Sequence, residues 1–281
     1  MPLFSTKQLV GKADKEKYAV PAFNAYNVES VVAIIAAAEK LHSPVIIQAY
    51  DRLFESADAR CVASCTKELA VTSDVPIALH LDHGSCEKNI IRAIRYGYTG
   101  VMIDGSAQEY GKNVELTRRI VSWADYINIP VEGELGHVGK AVDDIAADTY
   151  TDPGQAKDFA QKTGVSLLAV MVGSAHGMYK KEPKLDIERI AEIRSSANIP
   201  LVLHGGSGIP NSEIRKAIDA GISKINVATS ICLAYYEGFK HLGETDEMYK
   251  KPLDVFMTAP KVKVIEFLED RIELFGAAGK A

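Results

Sequence analysis

ALHLDHGSCEKNI, residues 78–90, decides how the rest of the chain is read. Its first half is an apolar run of strand character. It ends on Asp82 and His83 side by side, then Gly84, and a helix-like segment follows. A buried carboxylate or imidazole needs a polar partner, so the end of such a strand demands a destination. Two fit the residues: a metal-assisted active site at the mouth of a barrel, or a capped helix start beside a packed histidine.

The pattern repeats along the chain. Apolar runs rich in Val, Ile and Leu occur at 18–24, 44–50, 77–83, 100–106, 130–136, 166–173, 200–206 and 224–230. Segments of helical periodicity lie between them, such as 28–42 and 88–98. This alternation predicts βαβ units with a parallel sheet. Eight such units in 281 residues fit an α/β fold of the closed (β/α)8 TIM-barrel type. A doubly wound open sheet is the alternative, and the regular units without a composition break favour the barrel. One domain over 1–281 is expected, with the segment 262–276 as a C-terminal helix outside the barrel.

Composition narrows the function. The net charge of −5 gives no basic footprint for nucleic acid or an anionic membrane. No long apolar run suggests a signal peptide or a membrane span. The four cysteines, Cys61, Cys65, Cys86 and Cys232, form no CxxC pair, which suits reduced thiols and a cytoplasmic location.

The strand tips carry the chemistry. Asp82-His83 ends the third run, Asp104-Gly105-Ser106 the fourth, and Glu132 and Glu134 lie in the fifth. The sixth leads to His176-Gly177, the seventh ends at His204-Gly205-Gly206-Ser207, and the eighth at Asn226-Val227-Ala228-Thr229. In a barrel these tips converge on one ring. Three imidazoles with an open fourth position make a catalytic zinc site. The Gly-rich turn at 204–208 and the small-residue turn at 226–230 each precede a helix, an arrangement that binds phosphate through backbone N–H groups. His80 is expected to be hydrogen-bonded inside the barrel. The longer connections, from about Gly136 to Pro153 and from about Ser174 to Leu185, read as lids or binding loops.

These strings, VPAFN (20–24), LDHG (81–84), VMIDGS (101–106), EGELG (132–136), GSAHGMY (173–179), EPKLD (182–186), PLVLHGGSGIP (200–210) and KINVATS (224–230), resemble the class II ketose-bisphosphate aldolases. The branch of tagatose-bisphosphate and short fructose-bisphosphate aldolases is the most similar. The resemblance implies zinc on His83, His176 and His204, with Asp104 and Glu134 supporting it or lending a second resting position. Asp82 would be the acid/base for the hydroxyl proton at the cleaved bond. Asn24, Gly177, Gly205, Gly206, Ser207, Asn226, Val227, Ala228 and Thr229 would bind dihydroxyacetone phosphate. A monovalent cation, Na+ or K+, is a second expected ion, and a homodimer or homotetramer the expected assembly.

The Schiff-base alternative needs a lysine. No expected strand ends in one, and Lys224 is placed at the start of the eighth, on the wrong face. Two features depart from the family. Where it carries a glutamate as base at the dihydroxyacetone phosphate carbon, this chain has Val142, which leaves Asp143 or Asp144 as the expected base. Tyr50-Asp51-Arg52 replaces a small turn, and a similar Asp-Arg pair marks the inositol-catabolism branch. The expected reaction is cleavage of fructose or tagatose 1,6-bisphosphate to dihydroxyacetone phosphate and glyceraldehyde 3-phosphate. The alternatives are an aldolase for 6-phospho-5-dehydro-2-deoxygluconate, and a non-catalytic barrel subunit supporting a partner aldolase.

Overall fold

The computed structural model describes residues 3–139, 150–243 and 252–281. Eight parallel strands close into a barrel in sequence order. They are β1 (Val20–Asn24), β2 (Val45–Tyr50), β3 (Ile77–Gly84), β4 (Gly100–Ile103), β5 (Val131–Leu135), β6 (Leu167–Val170), β7 (Leu201–Leu203) and β8 (Ile222–Val227). The (β/α)8 barrel expected from the alternation is the fold observed.

The helices are α1 (Thr6–Glu16), α2 (Val28–Lys40), α3 (Asp58–Thr72), α4 (Glu87–Tyr96), α5 (Tyr110–Ala124), α6 (Pro153–Thr163), α7 (Ile187–Ala197), α8 (Asn211–Ala220), α9 (Thr229–Gly243), the single turn α10 (Leu253–Phe256) and α11 (Thr258–Leu274). Apart from Tyr50 at the end of β2, the strands are buried, because a parallel sheet is covered on both faces. The last helix packs on the outside, against α2 and α9.

Helix α1 has no counterpart in the sequence reading, because its polar composition hides a narrow apolar stripe of Leu9, Val10 and Ala13. A capping box between Ser5 and Gln8 starts it. It lies at the N-terminal end of the barrel, where Phe4 N–H donates to Ile77 O at 2.8 Å. The opposite end, reached by the loops that follow the strands, is left for the site.

The strand bounds shift from the expected ones, and at three strands the shift bears on the site. β6 and β7 stop at Val170 and Leu203, so His176 and His204 stand on loops just past the strands. Met171 and Val172 are nonetheless buried, which is why the apolar run outlasts the ladder. β8 begins at Ile222, which makes Lys224 an interior residue of the strand rather than its first. Its side chain is fully buried in the barrel.

Candidate active site

The site begins with a problem of strand geometry. Alternate residues of a strand face opposite sides, so Asp82 and His83 cannot both face inward from a regular β3. The backbone breaks the alternation at His83, which sits at φ 53°, in the left-handed region. The register with β4 shifts between Leu81 and Gly84 at the same point. Irregularities of this kind re-aim a side chain beside functional sites. Both groups therefore reach one cavity at the C-terminal mouth.

That cavity, of about 540 Å³, is lined by Asn24, Asp82, His83, Asp104, His176, Gly177, Gly205, Ser207, Asn226, Ala228 and Thr229 among others. Gly205 has φ +69°, and a Cβ there would meet Ala175 O at 2.2 Å. Only glycine lets the loop after β7 pass so close to the loop after β6. Tyr179 ties the same two loops: its hydroxyl accepts from Ala175 N–H at 2.7 Å and donates to Gly205 O at 3.1 Å.

The three predicted histidines converge. His83 Nε2 lies 3.1 Å from His176 Nε2 and 2.9 Å from His204 Nδ1. Each ring commits its other nitrogen to an oxygen acceptor. His83 Nδ1 faces Asp104 Oδ2 at 2.8 Å, His176 Nδ1 faces Val138 O at 3.1 Å, and His204 Nε2 faces Glu132 Oε1 at 2.9 Å. With each proton kept on its outer nitrogen, the three inner nitrogens can offer their lone pairs to one point. Such a cluster fits zinc, whose histidine ligands are oriented in this way by outer acceptors.

Electrostatics keep two of the three rings ready for a metal, while the third must release a proton to bind one. Burial, and then the His83 ring, lower His176 to about 4, and the same two causes hold His204 well below the ordinary histidine range. Both are thus neutral and ligand-competent. Burial opposes the charge on His83, but Asp82, Asp104 and Glu134 outweigh it and raise the ring to about 9. Burial, followed by Asp104, pushes Glu134 up to about 8. Glu134 Oε2 is a buried oxygen with no hydrogen-bond partner, and His83, Asp104 and Glu134 form a second cluster able to hold a cation.

Asp82 is held from both sides. Asn24 Nδ2 donates to its Oδ2 at 2.8 Å and Asn226 Nδ2 to its Oδ1 at 3.1 Å. Gln48 Nε2 supports Asn24 at 2.9 Å. Helix α9 opens at Thr229 on the cavity wall, so its N-terminus faces the cavity beside Gly205 and Ser207. That is an arrangement for an anion.

Two expected binders stand apart from the wall. Gly206 N–H is taken by Asn226 O at 3.0 Å, and the Val227 side chain is buried in the core. Asp143 and Asp144, like Val142, lie outside the described residues. His80 corrects its expectation: neither ring nitrogen has a hydrogen-bond partner, and its nearest carboxylate oxygen, Glu132 Oε2, is 3.5 Å away and taken by Lys224. Lys224 is also corrected. It faces the barrel interior, ion-paired to Glu132, and does not line the cavity.

Glu132, Lys224, Gln48 and Tyr26 carried no functional role in the sequence reading, whereas Arg52 was singled out there as a departure from the family. The first two had a signal. Glu132/Glu134 and Lys224/Asn226 are polar pairs two apart in apolar strands, the spacing that puts both on one face. Arg52 lines the cavity with its guanidinium 5.2 Å from the Tyr50 ring and 5.9 Å from the Tyr26 ring. His137 lines it too, 2.9 Å from Ser106 Oγ.

A (β/α)8 barrel whose mouth gathers three histidines and several carboxylates has the layout of a metal-assisted enzyme site. The profile described as fructose-bisphosphate aldolase class-II matches residues 4–280, and the chain belongs to that family. It is 36% identical over 284 residues to the D-tagatose-1,6-bisphosphate aldolase subunit GatY of Klebsiella oxytoca, covering 100% of both chains. The crystal structure of the YdjI aldolase from Escherichia coli K12 superposes with a TM-score of 0.90 at 34% identity, over 99% of each chain. The fructose-bisphosphate aldolase of Campylobacter jejuni, 23% identical, shares the fold with a TM-score of 0.86, over 100% of this chain and 97% of its own.

Proposed function

We propose that this chain is a zinc-dependent aldolase that reversibly cleaves a ketose 1,6-bisphosphate, of fructose or tagatose, to dihydroxyacetone phosphate and glyceraldehyde 3-phosphate. The observation that carries the reading is the convergence of three imidazole nitrogens beside Asp82. When bound, zinc supplies a Lewis acid for negative charge developing on the ketone side. His83, His176 and His204 would hold it, with Asp104 and Glu134 as support or as a second position.

The remaining work falls to the chain. Asp82, fixed by Asn24 and Asn226, takes the proton of the hydroxyl at C4 as the C3–C4 bond breaks. The aldehyde departs, and the electron pair stays on the dihydroxyacetone phosphate half. Asp143 or Asp144 returns a proton to that carbon. Gly177, Gly205, Ser207, Asn226, Ala228 and Thr229 hold the phosphate end through backbone groups, side chains and the α9 N-terminus, and Na+ or K+ serves as a second ion there.

Arg52 favours an anionic group on the aldehyde half. Its neighbour Asp51 is occupied by Ser85 at 2.6 Å and Asn89 at 3.0 Å, which leaves the guanidinium for substrate. This also keeps 6-phospho-5-dehydro-2-deoxygluconate as a second substrate reading. The free thiols suit a cytoplasmic setting, and a homodimer or homotetramer is the proposed assembly. No helix among the described residues is long and apolar enough to cross a membrane. A retro-aldol assay over these three substrates, with and without chelator, tests the reading. Cleavage of none, with zinc present, overturns it in favour of a supporting subunit.

A further inference from the structure

Lys224 is a fully buried lysine that no step above uses. Its ammonium makes two bonds. One goes to Glu132 Oε2 at 2.9 Å, and one to Asn226 Oδ1 at 2.8 Å. The other oxygen of Glu132 accepts from His204 Nε2 at 2.9 Å, while the amide of Asn226 donates to Asp82 Oδ1 at 3.1 Å. A single cation beneath the site thus branches to a metal-binding histidine and to the acid/base carboxylate.

We propose that Lys224 is a positioning residue that orients His204 and Asp82 at once. The inference rests on the zinc-aldolase reading and deepens it. Each branch removes an ambiguity. Glu132 could present either oxygen to His204, and its carboxylate could swing; the ammonium pins Oε2 and leaves Oε1 as a fixed acceptor. A fixed acceptor keeps the His204 proton on Nε2 and the Nδ1 lone pair on the metal position. Asn226 could be turned with either amide atom toward Asp82. The ammonium has only donors, so it selects the carbonyl and sends the NH2 group to Asp82.

The strand geometry explains why one residue can do both. Lys224 and Asn226 are two apart on β8 and share its inward face, and Glu132 reaches across from β5. The lysine therefore sits one layer below the reacting groups. It is shielded from the cavity by the side chains it orients.

The test uses Lys224→Met and the double variant Lys224→Met/Glu132→Gln, which removes both buried charges together and so avoids an unpaired carboxylate. Folding is followed by circular dichroism. Affinity for zinc alone is measured by chelator competition, Co2+ absorption reports ligand geometry, and kcat and KM are taken at saturating zinc. Outer partners of metal-bound histidines typically contribute about 10- to 100-fold in affinity. Zinc binding weakened by that order in the folded double variant is expected, with an altered Co2+ spectrum, kcat at saturating zinc lower by at least about tenfold, and KM within a few-fold. A folded double variant with wild-type zinc affinity, spectrum and kcat overturns the inference. So does failure of both variants to fold, which would assign Lys224 to core stability. A wild-type protein that neither binds zinc nor cleaves substrate instead sinks the parent reading, independently of the variants.

Discussion

His83 Nε2 and His204 Nδ1 lie 2.9 Å apart, and each ring turns its other nitrogen to a carboxylate behind it. The pair, with His176, presents its inner nitrogens to one cation. A chelator should therefore abolish activity and added zinc restore it, and His204→Ala should remove high-affinity zinc binding when metal content is measured after dialysis. Full turnover by a metal-free preparation would sink the assignment.

Asp82 is held by two amides at the cavity wall, where the proposed reaction needs a group for the hydroxyl proton. General acid–base groups contribute about 10²- to 10⁴-fold. Asp82→Ala should slow cleavage by that order while zinc content stays at the wild-type level. A rate within a few-fold of wild type would exclude the role.

Asp143 and Asp144 are the carboxylates nearest Val142 in sequence. If one of them moves the carbon-bound proton, alanine there should slow exchange of that proton with deuterated solvent, with dihydroxyacetone phosphate as the sole ligand and its binding nearly unchanged. Unaltered exchange in both single variants and the double variant would shift the role to another cavity group, His137 first.

Arg52 stands over two tyrosine rings at the cavity wall with Asp51 turned to other partners. A hydrogen bond to a charged group is worth about 1.5–3 kcal/mol. Arg52→Met should raise KM for the bisphosphate by roughly 10- to 100-fold, and should leave dihydroxyacetone phosphate affinity alone. Equal losses for both ligands would place Arg52 outside the aldehyde half.

Glu134 gives a pH dependence to the metal-free protein. Burial, then Asp104, raises its folded value from 4.5 to about 8. A carboxyl raised on folding contributes stability that is fully present below 4.5 and is lost as pH rises through about 8. The Tm of the metal-free protein should fall over that window, and Glu134→Gln should flatten the fall. Parallel Tm curves for the two proteins would show that Glu134 ionises freely in the folded state.

The sequence by itself determined the barrel and the members of its ring. Repeated apolar runs alternating with helical periodicity admit few folds, and a parallel barrel puts every strand's C-terminal tip on one face. Asp82, His83, His176 and His204 were legible because each polar residue interrupts or follows an apolar run. Helix α1 was not, since its apolar stripe of Leu9, Val10 and Ala13 is too narrow to stand out before the barrel end it covers exists. Only the tertiary structure decided which way the side chains point. Strand alternation sends His83 away from Asp82, and the left-handed backbone at His83, held where β3 changes register with β4, turns it back. Lys224 reads as a charged residue at a strand's start, because its partner Glu132 is 92 residues away in sequence. Closure of the barrel is what brings the two charges together and makes burying them tolerable.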